Sequence, residues 1–137
     1  MPYLLLVESD PSMRAVFRCA LAGTGMEIYE IGNAQQALTY LRTTTIPHII
    51  LVSNAAPGRL SGMPMAQFLT AVTQLTPHHS IILASTLADG LPAQVQALVK
   101  SLHIPVVKKP CDHALLAQII TSCAAQLASS AHAPSAY

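Results

Sequence analysis

Short apolar runs alternate along this chain with stretches in which apolar residues recur every three or four positions. Four of the runs are largely apolar, namely 3–7, 49–52, 80–84 and 104–107. The runs 49–52 and 80–84 are typical of strands that are buried on both faces of a sheet, whereas 104–107 is short and contains Pro105, which suits an edge strand or a strand start. A fifth run, 26–31, alternates apolar and polar residues, as a half-exposed edge strand does.

Five amphipathic helices are predicted between and after these strands. Three of them begin after a polar residue whose side chain can accept hydrogen bonds from the free N–H groups of a first helical turn, namely Asp10, Asn33 and Asp112. The other two carry apolar stripes over 65–75 and 91–102.

The alternation of five strands with five helices predicts an α/β fold with a parallel sheet covered on both faces. A flavodoxin-like (βα)5 arrangement with strand order 2-1-3-4-5 is a common solution, and its crevice lies between strands 1 and 3 at their carboxyl ends. We expect one domain over 1–128 and a loop over 59–62. The segment 129–137 is small, polar and contains proline, so we expect a flexible tail.

The composition is apolar for a domain of this kind. Apolar residues make up 52% of the 137 residues and charged residues 9%, whereas about 25% charged residues is typical. A surface with so few charges favours self-association. The net charge of +1, with no basic run beyond Lys108-Lys109, argues against nucleic-acid binding.

The chain carries no predicted membrane segment, since the N-terminal apolar run from Leu4 to Val7 is too short for a span or a signal peptide. We therefore expect a cytoplasmic protein. The three cysteines, Cys19, Cys111 and Cys123, show no C-x-x-C spacing and are expected to be reduced and mostly buried.

Polar residues follow four of the predicted strands, the first, third, fourth and fifth. In the predicted topology these residues meet at one edge of the sheet. They are Glu8, Ser9 and Asp10 after the first strand, Ser53 after the third, Ser85 after the fourth and Lys109 after the fifth. The chain has no Asp or Glu between Glu30 and Asp89, so no register places a carboxylate on the third strand.

Four segments in this order resemble the signature regions of response-regulator receiver domains. They are Leu-Leu-Val-Glu-Ser-Asp-Pro-Ser-Met-Arg (5–14), Asn-Ala-Gln-Gln-Ala-Leu (33–38), Pro-His-Ile-Ile-Leu-Val-Ser-Asn-Ala-Ala-Pro-Gly (47–58) and Val-Lys-Lys-Pro (107–110). The resemblance covers the chain from Tyr3 to about Gln126. It implies the flavodoxin-like fold and a role in two-component or phosphorelay signalling, in which an aspartate accepts a phosphoryl group beside a bound Mg²⁺.

The chain departs from that family at the acidic positions. Ser53 stands where the family has its phosphoacceptor aspartate, and Ser9 stands where it has a metal-binding acid. A serine hydroxyl is a poor nucleophile without a positioned base and gives no anionic oxygen to Mg²⁺. Glu8 matches one member of the acidic pair, and Asp10 falls one residue late and is interpreted as the helix cap. We therefore predict no catalytic residue, no metal and no cofactor.

Other family positions are retained. Ser85 matches the hydroxyl residue that senses the phosphoryl group, and Lys109 matches the lysine that pairs with it. Val106 stands where the family usually has an aromatic switch residue, and valine has almost no rotamer range for such a switch. With Ser53 neutral, we expect Lys109 to contact Glu8 or to be solvated.

The histidines are interpreted as structural or surface residues. Adjacent side chains such as His78 and His79 do not point the same way in most geometries, so they are expected to give polarity to a loop and not to bind a metal. His48 and His113 are expected at the surface or at helix caps.

The predicted function is that of a phosphorylation-independent protein-interaction module in signal transduction. The family resemblance implies a partner or homodimer face formed by the fourth helix, the fifth strand and the fifth helix. The residues assigned to this face are Leu91, Val95, Val106, Leu115 and Ile119. Two alternatives remain open: a receiver whose Ser53 is phosphorylated by a kinase, and a small enzyme on a flavodoxin-like fold.

Overall fold

The computed structural model describes residues 3–53, 59–86 and 91–132. These residues form seven strands, five α-helices and one short 3-10 helix (Ala22–Thr24). The strands are β1 (Tyr3–Val7), β2 (Ile28–Ile31), β3 (His48–Ser53), β4 (Arg59–Leu60), β5 (Met63–Pro64), β6 (Ser80–Ser85) and β7 (Val106–Lys108). The helices are α1 (Pro11–Leu21), α2 (Ala34–Thr43), α3 (Met65–Thr73), α4 (Ala93–Ser101) and α5 (His113–His132).

The main sheet is parallel and has the order β2-β1-β3-β6-β7. When the two-residue strands β4 and β5 are counted apart, this is the predicted order 2-1-3-4-5, and the predicted fold class is confirmed. The central strand β3 pairs with β1 on one side and β6 on the other, and all six of its residues are buried. This is the environment that its continuous apolar run predicts.

The sheet separates two apolar cores because successive side chains of a strand point to opposite faces. Leu5 and Ile50 belong to the core that includes residues of α2, α3 and α4. Leu4 and Ile49 belong to the other core, with residues of α1 and α5. Each of these four side chains is fully buried.

The predicted helix starts at polar caps are confirmed. The Asp10 carboxylate accepts from the Ser12 backbone N–H at 2.9 Å. Asn33 Oδ1 accepts from the N–H groups of Gln35 and Gln36. Asp112 Oδ1 accepts from the N–H of Leu115 at 3.1 Å.

The predicted loop after the third strand is a small antiparallel hairpin of β4 and β5. Gly62 in its turn has a φ of 103°, which an L-residue rarely adopts. The Ser61 carbonyl accepts from the Ala34 N–H, so the turn lies against the start of α2. A Cβ at residue 62 would lie 2.7 Å from the Asn33 amide, which explains why glycine is needed there.

Several boundaries differ from the prediction by a few residues, for example β2, which begins at Ile28 instead of residue 26, and two of these differences have a local cause. The last strand is Val106–Lys108 instead of 104–107, because the Ile104 N–H closes the end of α4 by donating to the Val99 carbonyl. Helix α5 continues to His132, past the predicted start of the tail at Ser129. This stretch contains no glycine or proline before Pro134 to end the helix. Residues 133–137 lie outside the described part of the chain.

The three cysteines are free thiols, and one of them is not buried as predicted. Cys123 is buried and Cys111 is half-buried, whereas Cys19 is exposed. Phe17 and Leu21 are the buried residues of α1, and Cys19 falls between them on the outer face of the helix. Among the residues that the structure describes, none of the helices is both long and apolar enough to cross a bilayer.

Candidate functional site

The site lies at the carboxyl end of the sheet, where the pairing of β1 with β3 determines which side chains meet. Val7 is the register partner of Val52, so the next residues, Glu8 after β1 and Ser53 at the end of β3, lie side by side. Lys109 follows β7 and donates its backbone N–H to the Ser85 carbonyl at 2.8 Å. Glu8, Ser53 and Lys109 belong to three separate segments of the chain and lie together at the carboxyl end of the sheet, as predicted from the strand order.

The side chains of Glu8, Ser53 and Lys109 form a hydrogen-bonded cluster. Ser53 donates its hydroxyl proton to Glu8 Oε1 at 2.7 Å. Lys109 Nζ donates to Ser53 Oγ at 2.6 Å and lies 3.8 Å from Glu8 Oε1. The three residues are 4%, 3% and 8% exposed, so the cluster is shielded from water.

This cluster contains an ion pair bridged by a neutral hydroxyl. The predicted contact between Lys109 and Glu8 is present, and the serine supplies the hydrogen bonds that join the two charges. Ser53 can both accept and donate, which a carboxylate at this position could not do. The second carboxylate oxygen of Glu8 accepts from the Asp10 N–H at 3.2 Å, which holds the carboxylate in place.

The other predicted residues of the site divide into two groups. Ser9 and Asp10 are exposed, and Asp10 caps α1 as predicted. Ser85 is 1% exposed at the end of β6, where its carbonyl holds the Lys109 backbone. Arg14 fixes the turn between β1 and α1, since its Nη1 donates to the Glu8 and Ser9 carbonyls at 2.8 and 3.2 Å.

The cluster is poorly suited to a divalent cation. Mg²⁺ prefers several oxygen ligands, commonly carboxylates. Glu8 is the carboxylate of the cluster, and its Oε1 already accepts from Ser53 and lies beside Lys109. Within residues 3–53, 59–86 and 91–132, no group of three or more His, Cys, Asp or Glu side chains is arranged to hold a metal.

The predicted partner face is only partly a surface. Leu91 and Val95 are 6% and 2% exposed and pack in the core, so assigning them to a partner face was wrong. Leu115 is 48% exposed on α5, and Ile119 and Val106 are half-buried. Leu91 and Val95 are buried because the apolar stripe of α4 packs against the sheet, so it is not available to a partner.

An open groove of about 510 Å³ lies beside this part of α5. Leu115 and Ile119 line it together with Pro105, which precedes the edge strand β7. The groove also includes the polar side chains of Gln118 and Gln126. The surface that remains at the predicted face is therefore centred on α5 and the β7 edge.

A second buried polar cluster, at the amino end of the sheet, was missed. His48, predicted at the surface, is fully buried as the first residue of β3. Tyr40 contacts its Nε2 at 2.8 Å, its Nδ1 lies 2.7 Å from the Ile46 carbonyl, and its backbone N–H donates to His79 Nδ1 at 3.0 Å. His79 is 5% exposed, and its Nε2 is buried without a hydrogen-bond partner among the described residues.

Burial determines the titration of these histidines. It lowers the pKa of His48, because an imidazolium loses hydration in the interior. It lowers the pKa of His79 to about 4, with smaller contributions from the positive charges that His48 and His78 carry when protonated. The signal in the sequence was the position of His48 at the start of an apolar run, which places it inside the sheet.

Among the comparisons with known proteins, the search of solved structures gives matches, and these agree on the fold. No family model matches the sequence, and a search of curated proteins gives no match either. Among solved structures, the signal receiver domain of an HD domain-containing protein from Pseudomonas fluorescens Pf-5 superposes with a TM-score of 0.80 at 19% identity, over 97% of this chain and 93% of that one.

Two further neighbours share the fold. The receiver domain of the sensor histidine kinase PA1611 from Pseudomonas aeruginosa PAO1, with a magnesium ion coordinated in its active-site cleft, has a TM-score of 0.71 at 18% identity, over 89% of this chain and 96% of that one. A structure described as a novel family of redox sensors in the streptococci, evolved from two-component response regulators, has a TM-score of 0.77 at 16% identity, over 100% of this chain and 57% of that one.

These neighbours identify the class of fold. The chain has the fold of response-regulator receiver domains, as its sequence motifs predicted. The cluster of Glu8, Ser53 and Lys109 occupies the carboxyl end of the sheet in this fold.

Proposed function

We propose that this chain is an atypical receiver module that acts in phosphorelay-type signal transduction without aspartyl phosphorylation. It works as a protein-interaction domain and not as an enzyme. The observation that carries this proposal is the closed cluster of Glu8, Ser53 and Lys109, in which a serine joins the charges that would otherwise face a phosphoryl group and a metal.

The chemistry of the cluster supports this proposal. Transfer of a phosphoryl group to a receiver requires a carboxylate oxygen as the nucleophile, and residue 53 offers a hydroxyl that donates to Glu8. The resemblance implies that Lys109 would pair with the phosphoryl group, and here it lies against Ser53 and Glu8 instead. The streptococcal neighbour, described as a redox sensor evolved from response regulators, supports the idea that this fold serves other inputs.

Phosphorylation of Ser53 by a kinase is less well supported. The Ser53 side chain is 3% exposed, and its hydroxyl is engaged on both sides. A kinase needs the hydroxyl in an accessible segment. A small enzyme also has little support, because the buried histidines that could act as bases lie at the opposite end of the sheet.

For the interaction surface we propose the exposed part of α5 and the β7 edge, with a second copy of this chain as the occupant. Leu115 is the most exposed large apolar residue there, and Ile119 lies one turn further along the helix. Among the described residues, no Asp, Glu, Lys or Arg lines the groove beside Leu115, so two copies that meet over this groove would desolvate little charge.

The first test concerns the cluster. The protein is incubated with Mg²⁺ and acetyl phosphate, and intact mass is measured alongside NMR shifts near Glu8 and Ser53 in Mg²⁺ with beryllofluoride. We expect no added phosphoryl group and no saturable shift. The matched control is the double variant Ser9→Asp/Ser53→Asp, which supplies the absent carboxylates and should respond to Mg²⁺. A phosphorylated wild-type chain, or beryllofluoride bound beside Ser53, would overturn the proposal.

The second test concerns the surface. Sedimentation analysis over a concentration series should show a dimer that Leu115→Glu converts to a monomer. Val16→Glu is the matched control, since Val16 is 51% exposed on α1, outside the proposed face. A wild-type monomer at all concentrations, or equal effects of both variants, would contradict the homodimer.

A further inference from the structure

Aromatic rings connect the buried histidine at the start of β3 with the protein surface. Tyr3, Tyr29, Tyr40 and His48 form a closed circuit of ring contacts, with centroids between 5.3 and 5.9 Å apart. His48 is fully buried, Tyr3 and Tyr40 are half-buried, and Tyr29 is 38% exposed. The circuit therefore extends from a dry imidazole to a tyrosine in contact with water.

The hydrogen bonds of His48 determine which of its nitrogens can receive a proton. Its Nδ1 lies 2.7 Å from the Ile46 carbonyl, and a carbonyl only accepts, so Nδ1 carries the hydrogen. Burial lowers the pKa of His48, so the ring is neutral at pH 7 and has a single N–H. Nε2 therefore keeps its lone pair, and the Tyr40 hydroxyl 2.8 Å away donates to it.

This hydrogen bond provides a base for the phenolic proton of Tyr40, at the distance that proton transfer requires. In the resting protein the proton stays on Tyr40, because a phenol has a pKa of about 10 and an imidazolium one of about 6.5. Loss of an electron turns a phenol into a strong acid, and His48 can then take the proton without movement of either ring. The Ile46 carbonyl stabilises the imidazolium that forms, because it accepts from Nδ1–H.

The other tyrosines of the circuit are placed differently. Among the described residues, the hydrogen bond from a tyrosine to a histidine is that of Tyr40, whereas Tyr3 and Tyr29 contact their neighbours through their rings. A phenol without a base must release its proton to water as it is oxidised, which is slower. Tyr29 is exposed and its ring centroid lies 5.9 Å from that of Tyr40. An electron taken from Tyr29 at the surface can therefore be replaced from Tyr40.

We propose that Tyr40 and His48 form a proton-coupled redox site. A diffusible one-electron oxidant, such as an inorganic radical, takes one electron from Tyr40 and is itself reduced by one electron. The O–H bond of Tyr40 breaks as an N–H bond forms on His48 Nε2, which leaves a neutral tyrosyl radical beside an imidazolium. Return of one electron reverses both changes. The site lies at the opposite end of the sheet from the cluster of Glu8, Ser53 and Lys109, so it does not rest on the proposed signalling role.

The test is the rate at which the full chain is oxidised at pH 7 by photogenerated tris(bipyridine)ruthenium(III), followed by the absorption band of the tyrosyl radical. N-acetyl-tyrosinamide, in a medium without added base, is the reference compound. We expect the protein to react about 100-fold faster than this compound, which is the contribution of a positioned base. The reaction should also be slower in D₂O than in H₂O, because the proton moves with the electron. A protein rate no greater than that of the reference, or equal rates in the two solvents, would overturn the proposal.

Variants of the two residues locate the site. Tyr40→Phe removes the phenol, whereas His48→Gln keeps an oxygen that can accept from Tyr40 but is hardly basic. Each should slow the oxidation by about 100-fold. Tyr137→Phe is the matched control, since Tyr137 lies outside the described residues and outside this circuit, and it should leave the rate unchanged.

Oxidation of His48→Gln at the wild-type rate would show that His48 is not the proton acceptor. Equal rates in Tyr40→Phe and Tyr137→Phe would show that the radical does not form on Tyr40. If His48→Gln does not fold, Tyr40→Phe and the solvent isotope effect on the wild-type chain still decide the proposal.

Discussion

The two ends of the sheet both bury polar side chains, but they do so with different chemistry. At the carboxyl end, Glu8 and Lys109 carry opposite charges that Ser53 joins. At the amino end, Tyr40, His48 and His79 are connected by hydrogen bonds between neutral groups. Glu8, Ser53 and Lys109 are buried, and so are His48 and His79. Burial alone therefore does not decide which end of the sheet responds to a change of conditions.

The two ends of the sheet differ in how protonation affects the side chains that stabilise them. The carboxyl end is held by charges of opposite sign, which stabilise each other in the interior only while both are present. The amino end is held by histidines that must stay neutral, because burial lowers the pKa of both. The carboxyl end should therefore be sensitive to substitution, and the amino end to acid.

The largest expected effect is at the carboxyl end. Glu8→Gln removes the carboxylate that lies 3.8 Å from Lys109 and should lower the free energy of unfolding by about 3–5 kcal/mol. Urea denaturation at pH 7 measures it. The double variant Glu8→Gln/Lys109→Met removes both charges and should regain at least half of the loss. A single-variant loss below about 1 kcal/mol would mean that the pair behaves like a solvated one.

The protein should lose stability in acid because of the buried histidines at the amino end of the sheet. The pKa of His79 is about 4 in the folded chain and about 6.5 when unfolded. The unfolded chain therefore binds more protons between these values, and stability falls as the pH falls from about 6.5 to about 4. The loss is on the order of 3 kcal/mol, and His48 adds to it in the same direction.

Urea denaturation at a series of pH values measures this loss. His79→Gln is the matched control, since glutamine can still accept from the His48 N–H and does not titrate. The pH dependence should be much flatter in this variant. An equally steep dependence in the variant would assign the acid sensitivity to other groups.

A smaller effect tests the hydrogen bond that closes the amino end. Tyr40→Phe leaves His48 Nε2 without the hydroxyl 2.8 Å away, and should cost about 1–2 kcal/mol at pH 7. Tyr29→Phe is the control, because Tyr29 is 38% exposed and meets Tyr3 and Tyr40 through its ring. Thermal unfolding of the two variants compares them. Equal losses in the two variants would show that the hydrogen bond between Tyr40 and His48 contributes no more to stability than the hydroxyl of Tyr29.

The smallest expected effect is that of Asp10, which should act as a helix cap and not as a member of the carboxyl-end cluster. Asp10→Ala removes the cap of α1 and should cost about 1 kcal/mol, as loss of a helix cap does. Asp112→Ala, at the start of α5, provides a second cap for comparison. Because Asp10 is exposed and points to α1, the response to Mg²⁺ should be the same before and after the change. An altered Mg²⁺ response would make Asp10 a ligand.

Much of the fold was predictable because its signals are local. The apolar run at 49–52 indicated a strand buried on both faces, and β3 is such a strand. Asp10, Asn33 and Asp112 marked helix starts through the chemistry of their side chains. The small hairpin of β4 and β5 was not predictable in this way, because two-residue strands carry no periodicity and depend on the contact of Gly62 with Asn33.

The sequence by itself determined what is absent from the third strand: with no carboxylate between Glu30 and Asp89, residue 53 could only be a neutral group at the acceptor position. The sequence also determined the order of strands and helices along the chain, because the spacing of apolar residues that distinguishes a strand from a helix is a property of neighbouring residues. Only the tertiary structure decided which side chains contact each other in the two buried clusters. Lys109 and Ser53 are 56 positions apart, and His48 and His79 are 31 apart. Contacts over such separations arise from strand pairing, which no local pattern records, and this is why His48 was misplaced at the surface.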